Sequence, residues 1–136
     1  SELHQAGPTN RDKGGTIDNL LIQFGLKGIE ERQGKFLSGG EKRRLELARL
    51  LMSSPRYVLL DEPFAGVDPI SINEIKSHIS SLARDNIGVL ITDHNAADIL
   101  DICDNVYVMK DGAIIFEGNP AAVAANETVK SVYLGN

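Results

Sequence analysis

A length of 136 residues fits a single domain with a modest core. The balance of 42% hydrophobic and 24% charged residues is ordinary for a globular chain, and a net charge of −5 argues against a nucleic-acid surface, which needs a basic face to release counterions. The single cysteine, Cys103, excludes an internal disulfide and fits a reducing, cytosolic compartment, and no apolar run approaches the roughly 20 residues a membrane helix needs.

Residues 1–15, rich in glycine and polar side chains and carrying Pro8, read as a loose N-terminal segment. Thr16 can cap a short helix with Ile17, Leu20, Leu21 and Phe24 on one face, ended by Gly25 and Gly28. Ser38 starts a second helix that is expected to run to about Ser53. Leu45, Ala48 and Met52 form one stripe on it and Leu47 and Leu51 another, so its second half is expected to be well buried. Residues 58–61 are apolar and end in an acid, the pattern of a central parallel strand buried on both faces. Ile72, Ile75, Ile79 and Leu82 share one face of a third helix, and residues 88–92 read as the next buried strand. Ala96, Ile99, Leu100 and Cys103 form the stripe of a fourth helix. Residues 106–109 and 113–116 read as strands joined by an Asp111-Gly112 hairpin turn. Asn119-Pro120 is a cap followed by proline at a first helical position. One or two short helices then place Val129, Val132 and Tyr133 inward. Strands alternating with helices predict an α/β layer fold. The organisation expected is a loose 1–15, a helical region 16–55 and an α/β region 56–136.

Three places carry chemistry. Asp61-Glu62 stands at a strand end, where loops line a crevice in open α/β sheets. An aspartate there can hold Mg²⁺, and a neighbouring glutamate can position or deprotonate a water. An acid pair after a strand is as often a helix cap, but the apolar run before it and Pro63 after it weigh against that. Ser38 and Glu41 make a capping box, S-x-x-E, which suffices for a helix start. Gly39 and Gly40 add room for a phosphate to approach the helix N-terminus. His94 follows the second strand and could donate to a phosphate oxygen, although a lone histidine there is more often a surface group. Asp68, before Pro69, would on its own be a turn acid. His4 and His78 have no such context and read as solvent-facing. Lys42, Arg43, Arg44 and Arg49 read as a solvated or partner-facing surface, and Cys103 as a small core residue.

Leu37-Ser38-Gly39-Gly40-Glu41, then Tyr57-Val58-Leu59-Leu60-Asp61-Glu62-Pro63, then Val67-Asp68 and Ile91-Thr92-Asp93-His94 together resemble the back half of an ATP-binding-cassette (ABC) ATPase. The resemblance covers roughly residue 16 to the C-terminus. It implies a partial P-loop NTPase fold, with a mostly parallel sheet, flanking helices and the phosphate-loop strand missing. It implies Asp61 as the metal-side acid, Glu62 as catalytic base and His94 as the switch histidine. Ser38, Gly39, Gly40 and Glu41 would form the signature motif that touches the γ-phosphate held by a partner, and Asp68 the loop joining two sites across a dimer. ATP and Mg²⁺ are the implied cofactors. Membrane subunits of a transporter and a second nucleotide-binding domain are the implied partners, at the inner face of the plasma membrane. Within the family, the stretch from Asp61 to Ser71 and the Thr92-Asp93-His94-Asn95 run are most similar to lipopolysaccharide-export ATPases, with branched-chain amino-acid importer ATPases next.

No Gly-x-x-x-x-Gly-Lys-Ser/Thr run occurs in the 136 residues. The family's main grip on the β- and γ-phosphates is that loop. The expectation is therefore a truncated subunit without significant ATPase activity by itself, or else a non-catalytic interaction or dimerisation module derived from such an ATPase. The C-terminal lobe of a chromosome-maintenance ATPase is disfavoured by the lack of a coiled coil and of a basic surface. In the family the phosphate-loop strand lies between the strands at 88–92 and 106–109. Leaving a gap there would be costly, so those strands are expected to pair directly, or another copy of the chain to fill the gap by exchange.

Overall fold

The computed structural model describes residues 10–131, with side chains from residue 16. In chain order the elements are α1 (Asn10–Gln23), a short 3-10 turn (Gly34–Phe36), α2 (Gly39–Leu51), β1 (Tyr57–Asp61), α3 (Pro69–Arg84), β2 (Gly88–Thr92), α4 (Ala96–Leu100), β3 (Val106–Lys110), β4 (Ala113–Gly118), α5 (Pro120–Ala125) and α6 (Glu127–Val129). The alternation confirms the α/β class. No described helix is long and apolar enough to cross a membrane.

Helix α1 begins at Asn10, inside the stretch expected to be loose, so Thr16 lies within the helix rather than at its cap. Its end is where the glycines placed it. Gly25 adopts φ +61°, the Gly25 N–H donates to the Ile22 carbonyl at 3.1 Å and the Leu26 N–H to the Leu21 carbonyl at 2.8 Å. That is a Schellman closure, in which a residue without Cβ takes the left-handed position and the last carbonyls find donors. Phe24 and Leu26 on either side of Gly25 are buried.

The main core gathers Phe24 and Leu26, Leu47 and Ala48 of α2, Phe64, Ile75 and Ile79 of α3, and Ile99 of α4. Helix α3 buries the face its periodicity predicts, with Ile75, Ile79 and Leu82 all inside. Helix α2 turns both expected stripes toward the core, with Leu47 and Ala48 buried and Leu45 and Leu51 packed against it, while Met52, just past the helix end, is 50% exposed and Leu50, outside both stripes, 42%.

Strands β1 and β2 pair in parallel, Leu59 opposite Leu90 and Asp61 opposite Thr92. One face of this pair is closed: Val58 is buried and Leu60, Val89 and Ile91 pack on the core. The other face is open, with Tyr57, Leu59 and Leu90 each more than half exposed. The expectation of a strand buried on both faces is therefore corrected. Nothing among the described residues covers the second face.

Strands β3 and β4 form a separate antiparallel hairpin. Asp111 and Gly112 both take positive φ, 50° and 79°, as a type I′ turn requires. Val108 packs beneath this hairpin with Val123 of α5 and Val129 of α6 in a second, small core. Asn119 caps α5 as expected, its side chain accepting from the Ala122 N–H at 2.9 Å with Pro120 at the first helical position. Helix α4 stops at Leu100, so Cys103 lies beyond it, half-buried against the main core. Val132 and Tyr133 lie outside the described residues.

The mostly parallel sheet is thus split into two two-stranded sheets. Strands β2 and β3 do not pair, which overturns the expectation of direct pairing. Between them opens a cleft of about 1370 Å³, lined along β2, along β3 and by Ile99, Val123 and Val129.

Candidate functional site

The parallel pairing of β1 and β2 brings their carboxyl ends level, and that is what assembles the site. Asp61 and Thr92 are register partners, and the Thr92 hydroxyl donates to Asp61 Oδ1. The ladder continues one step, with the Glu62 N–H donating to the Thr92 carbonyl at 2.8 Å. Glu62 then departs from the strand with φ +44°. A left-handed conformation costs a residue with Cβ about 1–2 kcal/mol. A tight turn follows, closed by the Ala65 N–H on the Glu62 carbonyl at 3.1 Å. His94 follows β2 and places Nδ1 3.6 Å from Glu62 Oε1 and 3.7 Å from Asp93 Oδ1. Both His94 and Glu62 side chains are largely exposed. Asp61, Glu62 and His94 all line the cleft between β2 and β3.

The loop carrying His94 is anchored from behind. Asn95 caps α4, and its N–H donates to Asp93 Oδ1 at 2.9 Å. Lys76 of α3 bridges Asp98 at 2.6 Å and Asp101 at 2.7 Å, tying α4 to α3. Asp93 was not singled out in the sequence. Its side chain is 1% exposed, and Oδ2 has no hydrogen-bond partner among the described residues.

A second group forms at the start of α2. The capping box is complete: the Glu41 N–H donates to Ser38 Oγ at 3.1 Å, and the Ser38 N–H donates to Glu41 Oε2 at 2.7 Å. The Ser38 N–H holds the Glu41 carboxyl below its ordinary pKa, with smaller help from the Ser38 hydroxyl, Arg32 and Arg44. The two glycines have reasons within the chain. A Cβ on Gly39 would lie 2.8 Å from the Gly66 carbonyl oxygen, and one on Gly40 would lie 2.6 Å from Ser71 Cβ. The helix start is thereby pressed against the 65–68 loop and the first turn of α3. Asp68 caps α3, accepting from the Ser71 N–H at 3.0 Å, and hydrogen bonds from Ser71 lower its pKa. Ser71 and Gly66 could have been found only by knowing which loop meets the glycines.

The structure therefore unites Asp61, Glu62 and His94 in one group, and Ser38, Gly39, Gly40, Glu41 and the Asp68 loop in another. The basic residues of α2 are not one solvated face. Arg44 is nearly buried and ion-paired with Glu74 of α3, while Arg43 reaches the Glu62 carbonyl from α2 at 3.3 Å. His78 is also corrected. It is half-buried, stacked on Phe24 with ring centroids 4.5 Å apart, and burial lowers its pKa, assisted by Arg44. His4 lies outside the described residues. Cys103 behaves as the core residue expected, its thiol pKa raised by burial.

No group of three or more His, Cys, Asp or Glu side chains among the described residues is disposed to hold a metal ion. Asp61 offers a single carboxylate. That suits Mg²⁺, which takes most of its ligands from water and phosphate, and not a cation that needs an all-protein cage.

The family profile described as ABC transporter matches residues 3–65. The lipopolysaccharide export system ATP-binding protein LptB of Haemophilus influenzae is 50% identical over 118 residues, covering 87% of this chain and 49% of that protein. Its namesake from Escherichia coli K12 is 46% identical over the same shares of the two chains. A crystal structure of the ADP conformation of an ATP-binding cassette of an ABC transporter superposes with a TM-score of 0.82 at 30% identity, over 97% of this chain and 54% of that one. The cbiO1 protein of Clostridium perfringens, part of the cbiONQ transporter complex, does so with a TM-score of 0.78 at 32% identity, over 97% and 53%. The chain spans about half the length of the curated relatives it matches.

Proposed function

Since this chain belongs to the ABC transporter family of ATP-binding proteins, we propose that its 136 residues are the part of a transport ATPase subunit that acts on a nucleotide gripped by other polypeptide. The observation that carries this is the convergence of Asp61, Glu62 and His94 on the rim of one cleft, with His94 Nδ1 3.6 Å from Glu62 Oε1. In this reading Glu62 orients a water and takes its proton as the water attacks the γ-phosphorus and the bond to the ADP oxygen breaks. His94 donates to a γ-phosphate oxygen and holds the water's target in line. Asp61, kept in place by Thr92, would hold Mg²⁺, which neutralises charge on the phosphates when bound. The N-terminus of α2, with its partial positive charge and free N–H groups, is offered to the phosphate of a second nucleotide-binding domain, and the Asp68 loop lies beside it.

The β- and γ-phosphates need a cradle that no segment of these residues supplies. The cleft between β2 and β3 is the place for it. An added strand there would pair with β2, cover Leu90, and lead its phosphate loop out beside Glu62 and His94. The occupant is the remaining polypeptide of the ATPase, and exchange with another copy of this chain is the lesser alternative. By themselves the 136 residues turn over no ATP. Likeness to lipopolysaccharide-export proteins supports coupling to export of a lipopolysaccharide-type glycolipid through membrane subunits, at the inner face of the plasma membrane.

A second reading is favoured by one observation. The capping box and the two glycines are fully accounted for by contacts within the chain, so the signature region could persist in a non-catalytic interaction module. Calorimetry with a non-hydrolysable ATP analogue separates the two. The ATPase reading expects binding and turnover only after a polypeptide carrying the phosphate loop is added, and a loss of kcat of about 100-fold or more for Glu62→Gln. An assembled complex that binds no analogue leaves the interaction module standing.

A further inference from the structure

We propose that Arg43 is a positioning residue for Glu62, joining the helix that begins at Ser38 to the backbone of the glutamate. The inference rests on the ATPase reading for its catalytic consequence, but its geometry stands apart from that reading. Glu62 departs from two backbone preferences at once. Its φ of +44° lies in the left-handed region, and it precedes Pro63, which drives the residue before it toward extended conformations. Such a residue stays in place only when its surroundings over-determine it.

Three hydrogen bonds do so. The Glu62 N–H donates to the Thr92 carbonyl at 2.8 Å, and the Glu62 carbonyl accepts from the Ala65 N–H at 3.1 Å. The third comes from outside the turn: Arg43 Nη2 donates to the same carbonyl at 3.3 Å. The other arm of the guanidinium, Nη1, is itself held by Glu46 Oε2 at 2.7 Å, three residues along α2. The planar fork of arginine meets both partners at once, which the point charge of a lysine cannot do with the same rigidity. A carbonyl fixed from two sides sets the peptide plane from which the Glu62 side chain departs. The aim of the carboxylate toward His94 thus depends on a residue of α2. The same contact ties the two groups of the site to one another, since Arg43 lies one turn beyond the capped N-terminus of α2.

The test has two arms. In the chain by itself, amide hydrogen exchange at Ala65 reports on the turn that Arg43 closes. Arg43→Ala is expected to speed that exchange by about tenfold, Arg43→Lys by less, and Arg49→Ala not at all, while the amides of α2 keep their protection in all three. In the complex reconstituted with a phosphate-loop polypeptide, Arg43→Ala is expected to lower kcat by about 10- to 100-fold with KM for ATP within about twofold of the parent, and Arg43→Lys to recover part of the loss. Unchanged exchange at Ala65 in Arg43→Ala overturns the proposal. So does a variant complex whose kcat is unaltered, or one in which Arg43→Lys is as slow as Arg43→Ala while α2 has lost its protection, the mark of a merely structural role. A parent complex with no turnover defeats the ATPase reading, and the exchange arm then decides the positioning claim without it.

Discussion

The N-terminus of α2 and the outer edge of β2 both border the proposed site, and they differ in how far the chain finishes them. At the start of α2 the cap is reciprocal, Gly39 and Gly40 are pressed on Gly66 and Ser71, and Arg43 and Arg44 both reach partners on other segments. Along β2 the outer edge faces a cleft of about 1370 Å³, and Leu90 stands 57% exposed. At the start of α2 the cap is local, and the glycines and both arginines meet segments supplied by the described residues. Strand β2 pairs with β1 on one edge, and its other edge and one apolar face stay open among the described residues.

The contrast is broken most directly at the finished side. Gly40→Ala places a methyl group against Ser71 where there is no room, and overpacking of this kind costs about 1–3 kcal/mol. Urea denaturation is expected to show that loss, and Ser71→Gly in the same chain to restore most of it. Equal stability for Gly40→Ala would mean that the glycine is kept for an approaching phosphate rather than for packing.

His78 offers a milder probe behind the same helices. Burial lowers its pKa from 6.5 in the folded chain, with Arg44 lowering it further and Glu74 opposing. The unfolded chain therefore binds the proton more readily, so the stability is present above pH 6.5 and is lost as pH falls through the depressed folded value. The denaturation midpoint is expected to fall between about pH 7 and pH 5, and to fall less in His78→Phe, which keeps the stack on Phe24 without titrating. Identical pH profiles would place the proton elsewhere.

The smallest effect belongs to the open side and sharpens the comparison. Leu59→Thr and Leu90→Thr remove apolar surface that already faces outward, so each is expected to change the stability of the isolated chain by no more than about 0.5 kcal/mol. The same pair is expected to weaken assembly with the phosphate-loop polypeptide strongly in a pull-down or titration. A large destabilisation of the isolated chain would show that this face is covered after all.

Much of this was legible in the residues. Gly25, Ser38 with Glu41, Asn119-Pro120 and Asp111-Gly112 each name a local conformation that few other residues supply, and each stands at the boundary it announces, whereas Asp68, read as a turn acid or a dimer-loop residue, caps α3. The faces of α3 followed from a 3.6-residue period over 16 residues, long enough to be unambiguous. The strands at 58–61 and 88–92 were found by a different signal, short apolar runs. The start of α1 was not, because glycine and polar side chains at 10–15 carry no periodic signal against a loop.

Local chemistry determined the caps, turns and helix faces, since these depend on neighbours a few positions apart. Tertiary structure alone decided which side of β1 is covered, that β2 and β3 stay apart, that His78 stacks on Phe24, and that Arg43 reaches Glu62. Each of those joins residues far apart in the chain, and no side-chain pattern within one element records which distant element will lie against it.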